Sequence, residues 1–475
     1  METTSRQFKQ LSLDALANAT LQNSLDGVRE IMPRIRTAAL AERGDFEALC
    51  DRAQEIRDRA IRQLDTHLEE FERRVQAAGG TVHWAATGEE ACQIVVQICR
   101  DVGARQLIKS KSMVTEEIEL NDALEQDGFA VTETDLGEYI IQLRGEKPSH
   151  ILAPSLHVTL EEVAETFVEH HDIERSAPLT DATEMLAEAR SIMRDKFLQA
   201  DVGITGANFL VAETGAVVIV TNEGNADLTA SLPDTHIVVT GIEKAVPTLD
   251  DVGVLLRVLA RSAIGERLSN YTTFVQGPRR AGEATGPENY HVVLVDNGRS
   301  KMLGTEFQDM LRCIRCSACL NHCPVYTAIG GHAYGSVYSG PMGAVLTPAF
   351  AGLPAAVHLP NASTFCGRCE AVCPVRIPLP SLLRRWRQRE LNARPATDGQ
   401  RIGLGLWRGL NRWPPLYNFA VRLAAIVLRS LSVPGRGGQR WIRRLPLVGA
   451  AWTDFRDLPA PTGHTFQDEW RRRKS

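Results

Sequence analysis

Two cysteine-rich runs constrain this 475-residue chain more than any other feature of its sequence. The first reads CIRCSACLNHCP from Cys313 to Pro324, and the second reads CGRCEAVCP from Cys366 to Pro374. Thiols spaced two, two and three residues apart and followed by proline are typical of iron–sulfur cubane ligands. Structural zinc usually takes two ligand pairs separated by a long loop, which makes zinc the weaker alternative. The sequence therefore predicts two iron–sulfur clusters, each [4Fe–4S].

The same spacing predicts how the cysteines divide between the two clusters. The first three cysteines of a run bind one cluster, and the cysteine before the proline binds the other. Cluster 1 is predicted to be bound by Cys313, Cys316, Cys319 and Cys373. Cluster 2 is predicted to be bound by Cys323, Cys366 and Cys369.

Cluster 2 lacks a fourth cysteine in this scheme. Ser363 stands where the second run would have its first cysteine. Cluster 2 is thus expected to be a [3Fe–4S] centre, a [4Fe–4S] centre with a non-cysteine ligand, or a [4Fe–4S] centre with an open iron. His322 and His358 are the histidines considered as that ligand.

Three arginines lie among the predicted ligands: Arg312, Arg315 and Arg368. Positive charge near a reduced cluster raises its reduction potential. The alternative is that these side chains point to solvent, as most arginines do.

Charge is distributed unevenly along the chain. The net charge is −5, but residues 381–475 contain 18 arginines and one lysine against six acidic residues. Six of the seven tryptophans lie in the same stretch. We predict an irregular basic C-terminal region that either wraps the acidic body or contacts a membrane surface, a nucleic acid or an acidic partner.

Short apolar strands alternate with helices over about residues 60–300. The segments TVHWA, RQLIK, FAVTETD, HILAP and DTHIVVTGI read as strands, and NFLVAETGAVVIVTNEG reads as a hairpin turning at Thr214–Gly215. This alternation predicts an α/β domain with a largely parallel sheet. The predicted division is a helical segment at 1–59, the α/β domain at 60–300, a cluster domain at 301–391 and the basic region at 392–475.

Four polar clusters lie between the predicted strands and helices, where open α/β sheets place their ligands. Their candidate site residues are Lys111, Ser112, Glu116, Asp135, His150, His157, Glu213 and Asn222. Each cluster alone is compatible with turn and capping chemistry, but together they favour a small-molecule site. A P-loop and a G-x-G-x-x-G motif after the first strand are absent, which argues against a self-sufficient dehydrogenase.

Several long segments resemble the lactate-utilisation iron–sulfur protein family, the B component of a three-part bacterial L-lactate oxidation system. They are KSKSMVTEEIELNDALE, ETDLGEYIIQL, PSHILAPSLH, AETGAVVIVTNEGN and CIRCSACLNHCPVY. The resemblance covers about residues 60–380. It implies a lactate-utilisation domain similar in fold to ribose-phosphate isomerases and CoA-transferases, followed by an α-helical ferredoxin module. The seven-cysteine pattern is also that of the family.

The resemblance implies an electron-transfer subunit that carries electrons from lactate as it becomes pyruvate. Its partners would be a cysteine-rich-domain subunit and a smaller lactate-utilisation-domain subunit, and no nucleic acid. We expect a cytoplasmic protein, at the inner face of the membrane if its acceptor is membrane-bound or quinone-linked. In the alternative interpretation the α/β domain is itself a catalytic or regulatory site for a hydroxy acid or anionic metabolite, and the clusters are its electron outlet.

Overall fold

The computed structural model describes residues 3–175, 177–393, 398–435, 439–446, 449–453 and 456–474. Its helices are α1 (Phe8–Ala17), α2 (Ala19–Ala41), α3 (Phe46–Arg62), α4 (Leu64–Ala77), α5 (Gly88–Asp101), α6 (Met113–Glu117), α7 (Leu120–Gln126), α8 (Leu136–Leu143), α9 (Leu160–His170), α10 (Ala182–Gln199), α11 (Asn225–Ser231), α12 (Leu249–Ala263), α13 (Ala318–Asn321), α14 (Tyr326–Ile329), α15 (Gly340–Phe350), α16 (Leu353–Ala356), α17 (Arg368–Ala371), α18 (Leu379–Ala393), α19 (Asp398–Arg412), α20 (Pro414–Ser430), α21 (Ala450–Thr453) and α22 (Phe466–Lys474). Its strands are β1 (Thr81–Ala85), β2 (Gln106–Lys109), β3 (Ala130–Glu133), β4 (Val202–Thr205), β5 (Phe209–Val211), β6 (Ala216–Thr221), β7 (Thr235–Gly241), β8 (Ala245–Val246), β9 (Tyr271–Val275), β10 (Asn289–Val295), β11 (Val433–Pro434), β12 (Arg440–Ile442) and β13 (Leu458–Pro459).

Two compact units, Met1–Glu390 and Leu391–Ser475, make up the chain. In the first unit, one hydrophobic core contains residues of α3 and α12 together with residues of the cysteine region. The cysteine region therefore packs directly against the α/β body. The finer division predicted at residues 59, 300 and 391 stays a prediction.

A six-stranded parallel sheet lies at the centre of the first unit, in the order β1-β10-β7-β4-β2-β3. Alternate residues of β10 enter different cores: Val293 packs with α5 residues, and Leu294 packs with α4 residues. Burial on both faces explains why these strands read as continuous apolar runs. The predicted α/β class with a largely parallel sheet is confirmed.

A second sheet, in the order β8-β5-β6-β9, contains the predicted hairpin. Its turn places Gly215 at φ 73, and a Cβ atom there would lie 2.7 Å from the Arg74 Cβ atom. Both the left-handed backbone and the close approach require glycine at this position.

Three local predictions were wrong. The segment His150–Pro154, predicted as a strand, is a loop. The backbone N–H groups of Leu152 and Ala153 donate to the Nδ1 atom of His150, which closes a turn instead of pairing with a strand. Apolar residues at helical spacing predict one long helix from residue 45 to the Gly79–Gly80 pair, but the structure divides it into α3 and α4 at Gln63. The Gly- and Pro-rich stretch 329–360 predicts a loop, but it contains α15. That helix is buried on nearly every side, so it has no polar face to give an amphipathic period.

The second unit is helical rather than irregular, which corrects the predicted irregular C-terminal region. It contains α19 and α20, together with the short antiparallel sheet β11-β12-β13. Pro395, the proline after which the sequence becomes irregular and basic, lies outside the described residues. Across the described parts of the chain, no helix combines the length and the apolar character needed to cross a bilayer.

Candidate iron–sulfur centres and the adjoining cavity

Four cysteines from two distant parts of the chain line one small cavity. They are Cys313, Cys316, Cys319 and Cys373. Most of the remaining wall is apolar, but Arg315 and Ser317 also line it; the apolar residues include Met310, Ile314, Met342, Val375, Ile377 and Leu379. Four thiols converging in a largely apolar enclosure are the donor set that one iron–sulfur cubane needs.

The other three cysteines of the runs form a second group. Burial, together with the neighbouring Cys323 and Cys366, raises the pKa of the Cys369 thiol to about 12. Cys366 is exposed, whereas Cys323 and Cys369 are buried. The second group of sulfurs therefore has one edge at the protein surface.

The two cysteine runs share one backbone conformation. Arg315 and Ser317 in the first run have φ values of 59 and 60. Phe365, directly before the second run, and Gly367 within it have φ values of 54 and 81. A short helix follows each pair, α13 in the first run and α17 in the second. The runs thus repeat in structure as well as in sequence.

Backbone amides point at the cysteine that ends each run. The N–H of Tyr326 donates to the Cys323 sulfur at 3.5 Å, and the N–H of Ile377 donates to the Cys373 sulfur at 3.3 Å. Such hydrogen bonds stabilise thiolate charge and influence the potential of a cluster bound there.

The candidates for a fourth ligand of cluster 2 have different surroundings. The Ser363 hydroxyl accepts a hydrogen bond from the N–H of Phe365 at 3.1 Å. The Nδ1 atom of His322 lies 2.9 Å from the carbonyl oxygen of Ala318, and His358 is exposed. The fourth ligand stays open among the alternatives given above.

A buried ionic network joins the parallel sheet to the first cysteine run. The Arg299 guanidinium lies 2.7 Å from a Glu117 carboxylate oxygen and 2.6 Å from a Glu243 carboxylate oxygen. Glu243 also pairs with Arg315 at 3.4 Å. Burial opposes the charge of Glu243, but Arg299 and Arg315 lower its pKa to about 2.

Arg315 is turned inward, against the sulfur of Cys313. Burial opposes its charge, yet Cys313, Tyr338 and Glu243 raise the pKa of the guanidinium above its usual value. Its guanidinium carbon lies 4.9 Å from the centre of the Tyr338 ring. Of the other arginines in the runs, Arg312 pairs with Asp58 at 2.5 Å, and Arg368 is exposed.

The polar cluster with two histidines connects the α/β body to the first run. The Nε2 atom of His150 lies 2.9 Å from the Asn321 side-chain oxygen, and burial lowers the pKa of His150 to about 4. The Tyr326 hydroxyl donates to the Ser149 carbonyl at 2.9 Å. Because His150 is neutral and fully bonded, it serves packing between the two parts.

Both ring nitrogens of His157 also have hydrogen-bond partners within the protein. Its Nδ1 atom lies 2.9 Å from the Ser149 hydroxyl, and its Nε2 atom lies 2.5 Å from a Glu146 carboxylate oxygen. Neither candidate histidine faces an open site.

A cavity of about 280 Å³ brings together four of the eight candidate residues. They are Lys111, Ser112, Asp135 and Asn222. We call this space the Lys244 cavity, because Lys244 lines it as well. Arg315 closes it on the side of the first cysteine run.

Two other candidates lie outside this cavity. Glu116 pairs with the buried ammonium of Lys109 at 3.1 Å. Glu213 accepts a hydrogen bond from the N–H of Leu249 at 3.1 Å, at the start of α12. These two carboxylates have structural partners.

Sequence reasoning missed Glu243, Lys244 and Arg299. The first two follow the buried strand β7 directly, in the otherwise apolar stretch IVVTGIEKAVP. Adjacent charges in an apolar stretch are a detectable signal, because unpaired charge is costly to bury.

Two family models match the two parts of this architecture. The LUD domain family matches residues 68–295, and the 4Fe-4S dicluster domain family matches residues 309–377. The prediction of two iron–sulfur clusters is thereby confirmed. A crystal structure of a DUF162 family protein from Deinococcus radiodurans aligns with 49% of this chain and 98% of that one, at 18% identity and a TM-score of 0.25.

Two relatives that match along nearly their whole length are both named Lactate utilization protein B. The protein from Bacillus licheniformis is 42% identical, covering 100% of this chain and 98% of the relative. The protein from Geobacillus thermodenitrificans is 43% identical, covering 97% of this chain and 95% of the relative. The chain therefore belongs to the lactate utilization protein B family.

Proposed function

We propose that this protein is the iron–sulfur electron-transfer component of a bacterial system that oxidises L-lactate to pyruvate. The observation that carries the proposal is the convergence of four thiols from both cysteine runs on one cavity, beside a second group of three. The dicluster match and the shared name of the relatives support this interpretation over a catalytic α/β domain.

The ligand sets follow from the grouping of the sulfurs. Cluster 1 is bound by Cys313, Cys316, Cys319 and Cys373, and cluster 2 by Cys323, Cys366 and Cys369. When bound, each cluster accepts and releases one electron at a time. The protein contributes the apolar enclosure, the amide donors to sulfur and the buried charge of Arg315, all of which influence the potential.

The exposed edge of the second group is the proposed contact for a partner. Cys366 and Arg368 are exposed there, and the guanidinium carbons of Arg384 and Arg387 lie 5.3 and 4.1 Å from the Phe365 ring centre. This basic edge suits an acidic surface on a partner. The partners are a cysteine-rich-domain subunit and a small lactate-utilisation-domain subunit.

The second unit fits a peripheral contact at the cytoplasmic face of the membrane. The α20 side chains Leu416, Phe419 and Ile426 are 54%, 66% and 59% exposed. Arg422 and Arg429 belong to the same helix. Exposed apolar side chains beside arginines favour binding to an anionic lipid surface, where a quinone-linked acceptor would be accessible.

The function is tested by reconstituting the clusters anaerobically and adding L-lactate, with and without the two partner subunits. We expect the clusters to be reduced only when the partners are present, as followed by EPR. Reduction by lactate in this chain alone would assign the chemistry to the α/β domain. Clusters that stay oxidised with both partners present would contradict a role in lactate oxidation.

Arg315→Gln is expected to lower the midpoint potential of cluster 1. The amide keeps a hydrogen bond but removes the buried positive charge that stabilises the added electron. A loss of about 1 kcal/mol corresponds to roughly 40 mV for a one-electron centre. EPR-monitored redox titration measures this shift.

The matched control for this titration is Arg368→Gln, which removes an exposed arginine from the other cysteine run. The midpoint of cluster 1 is expected to be unchanged in the control. Equal midpoints for cluster 1 in the Arg315→Gln variant and the wild type would remove Arg315 from the set of tuning groups.

A further inference from the structure

The Lys244 cavity has the position of a ligand site in an open α/β sheet. Its wall includes Ser110–Val114 after β2, Asp135 after β3 and Gly206–Asn208 after β4. The carboxyl ends of β2, β3 and β4 meet at one edge of the parallel sheet, where such folds bind small molecules. Further wall residues belong to the end of β6, the start of α11 and the end of α12, and Lys244 and Arg315 also line the cavity.

Two lysines in this cavity make no hydrogen bond to the residues that the structure describes. Lys244 is only 7% exposed, and within the described ranges the structure gives its ammonium no hydrogen bond and no ion pair. The Lys111 ammonium nitrogen is buried without a hydrogen bond, and the carboxylate oxygens of Asp135 and Glu138 are 4.0 Å away. Burying ammonium groups without hydrogen bonds is costly, so both are suited to receive an anion.

Acceptors and donors of hydrogen bonds share the cavity with these cations. Asp135 and Glu223 line it, together with the side chains of Asn208, Asn222 and Ser112. Carboxylates would repel a phosphate dianion, but they accept a hydrogen bond from a hydroxyl group. A volume of about 280 Å³ admits a small acid and excludes a dinucleotide.

We propose that the Lys244 cavity binds a small organic carboxylate that carries a hydroxyl or carbonyl oxygen next to its carboxylate group. Lys244, Lys111 and Arg315 pair with the carboxylate. The asparagine amides donate to the neighbouring oxygen, and Asp135 accepts a hydrogen bond from it when that oxygen is a hydroxyl. The choice of L-lactate and pyruvate as probes rests on the proposed function, whereas the cavity and its cations do not.

Arg315 connects this site to cluster 1, because its guanidinium lies beside the Cys313 sulfur and also lines the cavity. A bound carboxylate offsets the positive charge that Arg315 presents to the sulfur. Occupancy of the cavity is therefore expected to lower the midpoint potential of cluster 1. The midpoint potential of cluster 1 would then depend on whether this acid is bound in the cavity.

The test is anaerobic calorimetry on the cluster-loaded full chain without partner subunits. L-Lactate, pyruvate and inorganic phosphate are titrated separately. We expect lactate or pyruvate to bind, and Lys244→Met to weaken that binding tenfold or more. Lys244→Arg, which keeps the charge, is expected to restore most of it. The matched control is Lys301→Met, an exposed lysine outside the cavity, which should bind as the wild type does.

Three results would overturn the proposal. The first is that neither L-lactate nor pyruvate binds the wild-type protein. The second is that phosphate binds as tightly as the two acids. The third is that the acids bind the Lys244→Met variant as tightly as the wild type while its cluster absorbance is intact. A redox titration with the acid present gives a second readout, the expected decrease in the cluster 1 midpoint. Because these measurements need neither partners nor turnover, their failure is distinguishable from a failure of lactate-dependent cluster reduction.

Discussion

Cys373→Ala is expected to abolish the [4Fe–4S] form of cluster 1, although Cys373 lies in the second cysteine run. Its thiol lines the same cavity as the three cysteines that begin the first run. Losing one of four thiolate ligands leaves one iron of cluster 1 without its protein donor. Iron bound per chain should fall below about eight atoms, with the EPR signal of one reduced [4Fe–4S] cluster lost.

The companion variant is Cys366→Ala, which should remove cluster 2 and leave the signal of cluster 1. The matched control is Cys99→Ala, because Cys99 is fully buried but lies in the core between the sheet and α5. The control should keep both signals and its full iron content. If Cys373→Ala and Cys366→Ala abolished the same signal, the crossed assignment of ligands would be wrong.

The cluster region could be predicted because its information is local. The ligand spacing needs only a dozen residues, and positive φ values at Ser317 and Gly367 belong to turns set by the same short runs. The strands of the parallel sheet were also readable, since each is a short apolar run between turn residues. The assignment of each cysteine to cluster 1 or cluster 2 was predicted from the spacing of the cysteines within each run.

Only four of the eight candidate residues line the Lys244 cavity. The other residues around it are distant in sequence and are brought together only by the tertiary fold. Arg299 and Glu117 are 182 residues apart in sequence, and no local pattern marks them as partners. His150 looked like a candidate for chemistry, yet its ring completes a loop and a contact with Asn321. The helix α15 was missed because all of its faces are buried, which removes the periodicity that identifies helices.

Arg299→Met is expected to destabilise the first unit by about 3–5 kcal/mol. Arg299 is 1% exposed, and its removal leaves the carboxylates of Glu117 and Glu243 buried without their main partner. The Tyr338 hydroxyl and the Asn297 amide would still donate to Glu117 at 2.6 and 2.7 Å, and Arg315 would still pair with Glu243 at 3.4 Å. These contacts do not replace the two short ion pairs that Arg299 makes with the carboxylates. Urea unfolding followed by circular dichroism under anaerobic conditions measures the change.

The matched control is Arg100→Met, which breaks an ion pair with Asp127 at the surface. The Arg100 side chain is 56% exposed, so its pair is expected to contribute less than about 1 kcal/mol. Because the network reaches Arg315 and the Cys313 sulfur, Arg299→Met should also release cluster 1 at a lower urea concentration than the control does. Equal unfolding midpoints in the two variants would mean that water or rearranged side chains satisfy the carboxylates. In that case hydrophobic packing, rather than buried charge, would hold the cysteine region against the sheet.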